Sequence, residues 1–476
     1  MSSPSPQSAV RIGTTTVTTD DSLVVSSPFD GHEIGRVPRC GPDEVQAAVA
    51  AAKACLADPL PPWKRAEILD AAAEAMIRHR DELALIIAEE AAKPIRTARV
   101  EAERTVITFR SSAIEARTLG GEIVPIDGAQ PGEGKLGFTL RVPRGVVAAI
   151  SPFNFPLNLV VHKVAPAIAA GCPVVLKPAS QTPLSSIRLQ EILMDECGLP
   201  PGWLNVVTGS GGTVGDPLVE HPDVAVVTFT GSPEVGWAIA AKAADKKVGL
   251  ELGNNAPVII EPSGDWETAA AKISIAGFSH AGQSCISTQR VYVHHDVIDR
   301  FTDALVPKVE ALVVGDPLGE DTDVSSLISK GETERVKGWI DEAVAGGAKV
   351  LAGGELEGGV LAPTVLAGVT ADMEVCRSEV FGPVVSIIGY DDLDDAIAQA
   401  NDTRYGLQAA VFTGELDTAL RAAYELDFGG VLVNEVPTFR TDQMPYGGVR
   451  DSGNTKEGPH YAVREMTRER LVVIQR

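Results

Sequence analysis

Between Gly145 and Val258 short β-branched runs alternate with helical stretches, and this alternation restricts the chain to few architectures. Residues 145–150, 174–177, 204–207 and 225–230 read as strands, and 157–170, 185–197, 213–220 and 233–243 read as the helices between them. Strands joined in this way run parallel, because each helix carries the chain back to the edge where the strand began. Ligands of such sheets lie beyond the carboxyl ends of the strands, where Asn154, Lys177, Gly209 and Gly231 fall. A second alternation starts near Val258 and passes through 362–365 and 384–390 to 430–434, predicting another α/β unit that carries Cys285. Ahead of both, alanine-rich residues 43–119 have helical periodicity broken at Pro61-Pro62 and Pro94. Two segments fit neither unit: 121–141, and 461–476 with its run Leu471-Val-Val-Ile474, whose unpaired strand edge invites a partner.

At 476 residues the chain is too long for one core, so two or three domains are expected. Its 44% apolar and 22% charged residues describe a soluble globular protein, and no apolar run reaches the roughly 18 to 20 residues that span a bilayer. The opening, Met1 to Gln7, lacks a basic region followed by an apolar one and reads as a disordered tail. Forty-one basic against 64 acidic residues give a formal charge of −23, which repels nucleic acid and anionic membranes and removes both as partners. Six scattered cysteines without a CxxC pair point to a reducing cytoplasm, with no disulfide framework and no structural zinc.

Glu251, in Leu250-Glu251-Leu252-Gly253-Asn254, stands 34 residues before Cys285, in Ala281-Gly282-Gln283-Ser284-Cys285. A thiolate attacks a carbonyl carbon to form a covalent adduct, and a carboxylate within reach activates the water that cleaves the resulting thioester. A free cysteine by itself is more often a small buried hydrophobe, and Cys40, Cys55, Cys172, Cys197 and Cys376 keep that reading. Cys285 differs in its company: Ser151-Pro-Phe153-Asn154-Phe-Pro, Leu176-Lys177-Pro-Ala-Ser180, Phe229-Thr-Gly231-Ser232, Glu379-Val-Phe381-Gly-Pro and Met444-Pro-Tyr-Gly-Gly-Val-Arg-Asp-Ser-Gly453. In these motifs and their order the chain resembles the aldehyde dehydrogenase superfamily, from about Pro28 onward.

The resemblance implies an α/β fold of two parallel-sheet domains plus a small protruding oligomerisation sheet. Residues 1–120 and 142–250 would form a discontinuous dinucleotide-binding domain and 251–443 the catalytic domain. Residues 121–141 and 455–476 would form the oligomerisation segments of a homodimer or homotetramer. It implies Cys285 as nucleophile, Glu251 as general base, and Asn154 with the backbone N–H of Cys285 as donors to the alkoxide, a kind of donor whose loss costs about 3 kcal/mol. Relatives that pass the acyl group to coenzyme A lack a carboxylate at the position of Glu251, so release of the free acid is expected. The family usually has a second glycine where Asn254 stands, and asparagine tolerates a positive φ if the site needs one.

Hydride leaving the alkoxide needs an acceptor, and with no flavin or metal pattern visible that acceptor is a nicotinamide, NAD or NADP. Phe229 to Gly236 follows an apolar strand and opens a helix, a setting that suits a pyrophosphate, although the usual Gly-x-Gly-x-x-Gly fingerprint is absent. By resemblance, Gly231 and Ser232 flank the pyrophosphate, Lys177 meets the adenosine ribose, Glu379 holds the nicotinamide ribose and Phe381 packs near the ring. Ser151, Phe153, Gly209, Phe229, Val235 and Leu252 complete that site. Ser180 stands where NAD-restricted members carry a glutamate, and a serine does not repel a 2′-phosphate.

For the aldehyde, Arg104 precedes a helix that the family places at the substrate entrance, and Asn158 and His162, four apart on the next helix, point together. Arg440 joins them near the mouth. The stretch from Asn434 to Val449 resembles the branch of lactaldehyde, phosphonoacetaldehyde and non-phosphorylating glyceraldehyde-3-phosphate dehydrogenases, which take small, hydrophilic or anionic aldehydes. Members specific for phosphorylated or phosphonate substrates usually place an arginine before the nucleophile, and here that residue is Ser284. A lactaldehyde-like substrate is therefore expected first, and an anionic aldehyde such as phosphonoacetaldehyde, sulfolactaldehyde, glyceraldehyde 3-phosphate or succinate semialdehyde second. A catalytically silent binding or structural protein on the same fold is the alternative of another class, against which the intact set Asn154, Glu251 and Cys285 argues.

Overall fold

The computed structural model describes residues 8–19 and 21–475, so the expected disordered tail, Met1 to Gln7, lies outside the described residues. The alanine-rich lead-in folds into α1 (Pro42–Cys55), α2 (Pro62–Arg78), α3 (Arg80–Ala91) and α4 (Ile95–Thr118). Pro62 opens α2 and Pro94 precedes α4, positions where the missing N–H removes no helical bond. After the long strand β1 (Lys135–Pro143) come β2 (Val146–Ile150), α5 (Asn158–Ala170), β3 (Val174–Lys177), α6 (Leu184–Asp195), β4 (Leu204–Val206), β5 (Val224–Thr230), α7 (Pro233–Lys242) and β6 (Lys247–Glu251). The five strands from β2 to β6 form one parallel sheet in the order β6-β5-β2-β3-β4. The winding direction reverses between β2 and β5, and ligands of open α/β sheets bind at such a switch point. Asn154 follows β2 there and Gly231 follows β5.

Every residue of α5 is buried, so this helix is the central post of the first lobe. Leu157 at its start offers no capping side chain, and the free N–H groups of Leu157 and Asn158 instead each donate to Glu101 Oε1 of α4 at 3.0 Å. The entry to α5, and Asn154 just ahead of it, is thus tied to α4.

The second lobe contains β7 (Pro257–Ile260), α8 (Trp266–Ala276), β8 (Arg290–His294), β9 (Lys349–Ala352), β10 (Thr364–Ala367), β11 (Val384–Tyr390), β12 (Gln408–Phe412) and β13 (Gly430–Val433). Its sheet runs β9-β10-β11-β8-β7-β12-β13, parallel except where β9 meets β10. Cys285 precedes β8 and Glu379 precedes β11, so this lobe offers the amino ends of its strands to the carboxyl ends of the first sheet. The carboxyl-end rule therefore locates only half of the cleft.

At the C-terminus α9 (Pro459–Met466) packs into the first lobe, with Val463 and Met466 in its core. Only β14 (Thr467–Gln475) leaves the body, pairing antiparallel with β1 from Thr467 opposite Pro143 to Gln475 opposite Lys135. The segment 455–476 is therefore divided between core and protruding sheet, because the apolar face of α9 is needed against α5. The outer edge of β14 carries exposed Leu471, Val473 and Ile474. No helix among the described residues is long and apolar enough to cross a membrane, and no group of three or more potential metal ligands occurs among them.

Candidate active site

Cys285 and Glu251 open onto one cavity of about 220 Å³ between the lobes. The turn before Cys285 is tightly specified. His280 and Ala281 hold left-handed φ values of 51° and 53°, and at Gly282 (φ 70°) a Cβ would lie 2.1 Å from the carbonyl oxygen of Gly382. Gln283 then fastens the loop, its Oε1 accepting from Ile328 N at 2.9 Å and its own carbonyl accepting from Asn154 Nδ2 at 2.9 Å. That bond uses one of the two Asn154 amide protons and leaves the other, while the Cys285 N–H makes no hydrogen bond among the described residues.

Burial pushes the Cys285 thiol up to about 12, opposed first by a hydrogen bond with Tyr446. Its Sγ lies 2.8 Å from Tyr446 Oη. Glu251 ends β6, and both of its carboxylate oxygens are buried without a partner. Burial, then the negative charge of Glu457, raises its pKa well above the ordinary glutamate range, against the pull of Arg440, Lys163 and Lys456.

The polar wall differs from the sequence expectation in depth. Arg104 lies inside α4 rather than ahead of a helix, and donates through Nε and Nη2 to the two oxygens of Asp442 at 3.2 and 2.8 Å. Asn158 Nδ2 donates to Asp442 Oδ1 at 3.2 Å, and His162 Nε2 approaches the same oxygen at 2.9 Å. The face shared by Asn158 and His162 is thus formed, but His162 is fully buried behind the cavity wall and does not line it, whereas Arg104, Asn158 and Arg440 do. Arg440 pairs with Glu457 at 2.8 Å and lies 3.9 Å from the centroid of the Tyr446 ring. Its Nε is buried without a partner. Ser284 also borders the cavity.

Asp442, Glu457, Tyr446 and Lys163 were not singled out by sequence reasoning. Asp442 and Glu457 had a usable signal, since two arginines facing an apolar-walled cavity need counter-charges, and Asp442 stands two residues from Arg440. Lys163, one residue beyond His162, reaches Thr230 Oγ1 at 2.7 Å and Glu457 at 3.5 Å.

A groove along the carboxyl ends of the first sheet has the donors a dinucleotide requires. Lys177 is buried at the end of β3, and its ammonium meets only the carbonyl of Pro178, at 3.1 Å; burial lowers it to about 8, so an oxygen-rich ligand would stabilise its charged form. Ser232 caps α7 and accepts from Val235 N. Gly231 leaves no room for a side chain, since a Cβ would lie 2.5 Å from the Phe229 ring beneath it. Leu252, buried, packs against Gly236 of α7, and Val235 is exposed on the first turn. Ser180 Oγ donates to the Gly209 carbonyl at 2.9 Å, joining the loops after β3 and β4.

From the other lobe, Glu379 Oε1 accepts from Asn254 N at 3.0 Å, and Phe381, at a strained φ of 48°, meets Phe153 edge to face at 5.8 Å. Ser151 Oγ, two residues before Phe153, is buried without a hydrogen-bond partner among the described residues. Asn254 itself is not left-handed; its amide bonds the carbonyl of Gln408 at 3.1 Å, which accounts for a side chain where the family has glycine. These residues fit the nicotinamide cofactor that the motifs imply.

Residues 16–472 match the aldehyde dehydrogenase family. The chain belongs to that family. This aldehyde dehydrogenase is 48% identical over 457 residues to a 3-sulfolactaldehyde dehydrogenase of Priestia aryabhattai, covering 96% of each chain. It is 40% identical over 458 residues to a lactaldehyde dehydrogenase of Methanococcus aeolicus, covering 95% of this chain and 97% of that one. Among solved structures it is similar to the glyceraldehyde-3-phosphate dehydrogenase GapN of Methanocaldococcus jannaschii complexed with NADP, at a TM-score of 0.92 and 38% identity, covering 97% of this chain and 100% of the other.

Proposed function

We propose that this aldehyde dehydrogenase oxidises a small hydrophilic 2-hydroxyaldehyde of the lactaldehyde type to the free acid, with NAD or NADP as hydride acceptor. The observation that carries the reading is one small cavity in which Cys285 and Glu251 face a wall of Arg104, Asn158 and Arg440, both arginines balanced by carboxylates. A balanced wall offers hydrogen bonds to hydroxyl and carbonyl groups without an unpaired positive charge that demands a phosphate.

In this reading the Cys285 sulfur bonds the aldehyde carbon, and the Asn154 amide and the Cys285 N–H donate to the resulting oxyanion. A nicotinamide held in the groove would supply the hydride acceptor, and loss of hydride from the adduct would leave an acyl thioester on Cys285. Glu251 takes a proton from water that attacks the thioester, and the C–S bond breaks to release the acid. Lys177, Gly231, Ser232 and Glu379 would hold the cofactor, with Ser151, Phe153, Ser180, Gly209, Phe229, Val235, Leu252 and Phe381 shaping its groove.

A second reading, an aldehyde with an anionic end such as a sulfonate, is favoured by Nη1 of Arg104 and of Arg440, which make no hydrogen bond among the described residues, and by the 48% identity to a sulfolactaldehyde enzyme. Comparing kcat/KM for lactaldehyde, 3-sulfolactaldehyde, propanal and hexanal tests both. Preference for hexanal would end the polar-pocket reading, and a Cys285→Ala protein that still turns over would end the cysteine mechanism. We further propose assembly into a homodimer or homotetramer through the open edge of β14, and a reducing cytoplasmic setting, in keeping with six free cysteines.

A further inference from the structure

We infer that Tyr446 is a catalytic residue of this enzyme, its hydroxyl donating a hydrogen bond to the Cys285 sulfur whenever that sulfur is anionic. The inference rests on the proposal that Cys285 is the nucleophile. The 2.8 Å contact between Oη and Sγ is the one side-chain hydrogen bond that Cys285 makes among the described residues. The charged groups facing the sulfur are Glu379, Glu251 and Arg440, and both carboxylates oppose a thiolate. Among the described residues no histidine or lysine bonds the sulfur to accept its proton or pair with its charge.

In the resting pair either atom can donate. Once one proton is gone the direction is fixed by chemistry, because a thiol is the stronger acid, with an ordinary pKa of about 8.5 against about 10 for a phenol. Burial raises both groups, and the hydrogen bond between them lowers the thiol and raises the phenol, so the hydroxyl keeps its proton. The guanidinium of Arg440, 3.9 Å from the ring centroid and fixed by Glu457, withdraws electron density from the phenol and makes its O–H a better donor. Tyr446 is itself held, since its N–H donates to the Glu457 carbonyl at 3.2 Å and the Glu457 N–H donates back at 2.6 Å. Arg440 is in this respect a positioning residue.

The contact serves two steps. Before attack the thiol proton leaves for bulk water, and Tyr446 stabilises the anion left behind. In thioester hydrolysis the C–S bond breaks with its electron pair on sulfur, and the same hydroxyl receives the departing thiolate. No proton transfers to or from Tyr446 in either step.

The test is the pH dependence of iodoacetamide alkylation of full-length protein without substrate, with Cys285 labelling verified by mass, in the parent and in Tyr446→Phe. Phenylalanine keeps the ring under Arg440. Loss of one hydrogen bond to a charged group raises the thiol midpoint by about 1 to 2 pH units and slows alkylation below it by about 10- to 100-fold. The burst of reduced cofactor and steady turnover both slow. A superimposable profile overturns the inference, and so does a midpoint shifted down, which would mean that Tyr446 accepts from the neutral thiol. A 3-fluorotyrosine at 446, a more acidic phenol of nearly the same size, is expected to lower the midpoint; a rise overturns the inference even if the phenylalanine variant folds poorly. If Cys285→Ala retains turnover the nucleophile assignment fails instead, so the two failures are separable.

Discussion

Lys93 Nζ donates to the main-chain carbonyl of Asn154 at 2.5 Å from within an ion pair with Glu101 in which neither side chain is exposed. The same Glu101 carboxylate takes the first two N–H groups at the start of α5. One buried pair therefore fixes the loop that carries Asn154, the proposed oxyanion donor, and Lys93 also sits over the Phe155 ring at 3.7 Å.

Breaking such a pair leaves an uncompensated buried charge, which costs about 3 to 5 kcal/mol. Lys93→Met should lower the urea midpoint accordingly, and adding Glu101→Gln should recover part of the loss, since a neutral amide oxygen still accepts from Leu157 and Asn158. Unfolding followed by tryptophan fluorescence checks this. An unchanged midpoint in Lys93→Met would remove the pair from the support of the site.

As the proposed general base, Glu251 carries a pH signature. Burial and Glu457 hold the proton on Glu251 well above the usual range, and the base acts only without it, so steady turnover rises with pH through that raised midpoint. The burst of reduced cofactor needs no base and follows the Cys285 thiol instead, which burial also raises. Glu457→Gln removes the repelling charge and leaves Lys163 and Arg440 to favour the Glu251 carboxylate, so the limb moves to lower pH. Stability changes with the opposite sign. Arg440 and Lys163 outweigh burial and bring Glu457 down to about 2, so its contribution is present above the ordinary glutamate pKa and is lost as pH falls toward 2. Rapid-mixing and acid-unfolding series on parent and variant check both statements.

On the proposed cofactor placement nucleotide choice turns on Ser180, whose hydroxyl is spent on the Gly209 carbonyl. Ser180→Glu puts a carboxylate where a 2′-phosphate would lie, and like charges brought together in a partly dry groove repel strongly. The ratio of kcat/KM with NADP to that with NAD should fall at least about tenfold, equivalent to about 1.4 kcal/mol. An unaltered ratio would place the adenosine end elsewhere.

The sequence made the first lobe legible because its signals are local: alternating strands and helices, prolines at helix starts, and a glycine before the nucleophile at a turn with no room for a Cβ. Asn158 and His162 were readable as one helix face for the same reason. Their depth was not. Whether a residue lines a cavity or backs its wall depends on what covers it from elsewhere, and Asp442, which gathers Arg104, Asn158 and His162, lies 338 residues from Arg104. Tyr446 stood in a motif quoted for its resemblance, yet its contact with Cys285 exists only because the chain recrosses the cleft after β13. The second sheet misled in another way, since its strands present amino ends to the site, against the rule that served the first.

Asp442 is the residue on which the substrate readings divide. It stays charged because His162 and Arg104 overcome the cost of its burial and hold it well below the ordinary aspartate range, and its charge cancels that of Arg104 at the cavity wall. Asp442→Asn keeps the shape and one acceptor oxygen for Arg104 Nη2 and Asn158, gives up the acceptor that Arg104 Nε uses, and leaves Arg104 as an unbalanced cation. Activity toward an aldehyde with a sulfonate or carboxylate end should then gain relative to lactaldehyde, by about tenfold in the ratio of kcat/KM values for roughly 1.4 kcal/mol of added attraction. The gain should shrink as salt is raised, because Arg104 is partly exposed. Equal losses on both substrates, with no change in the ratio, would mean that the Arg104–Asp442 pair only braces the wall and that the anionic end of any substrate lies out of its reach.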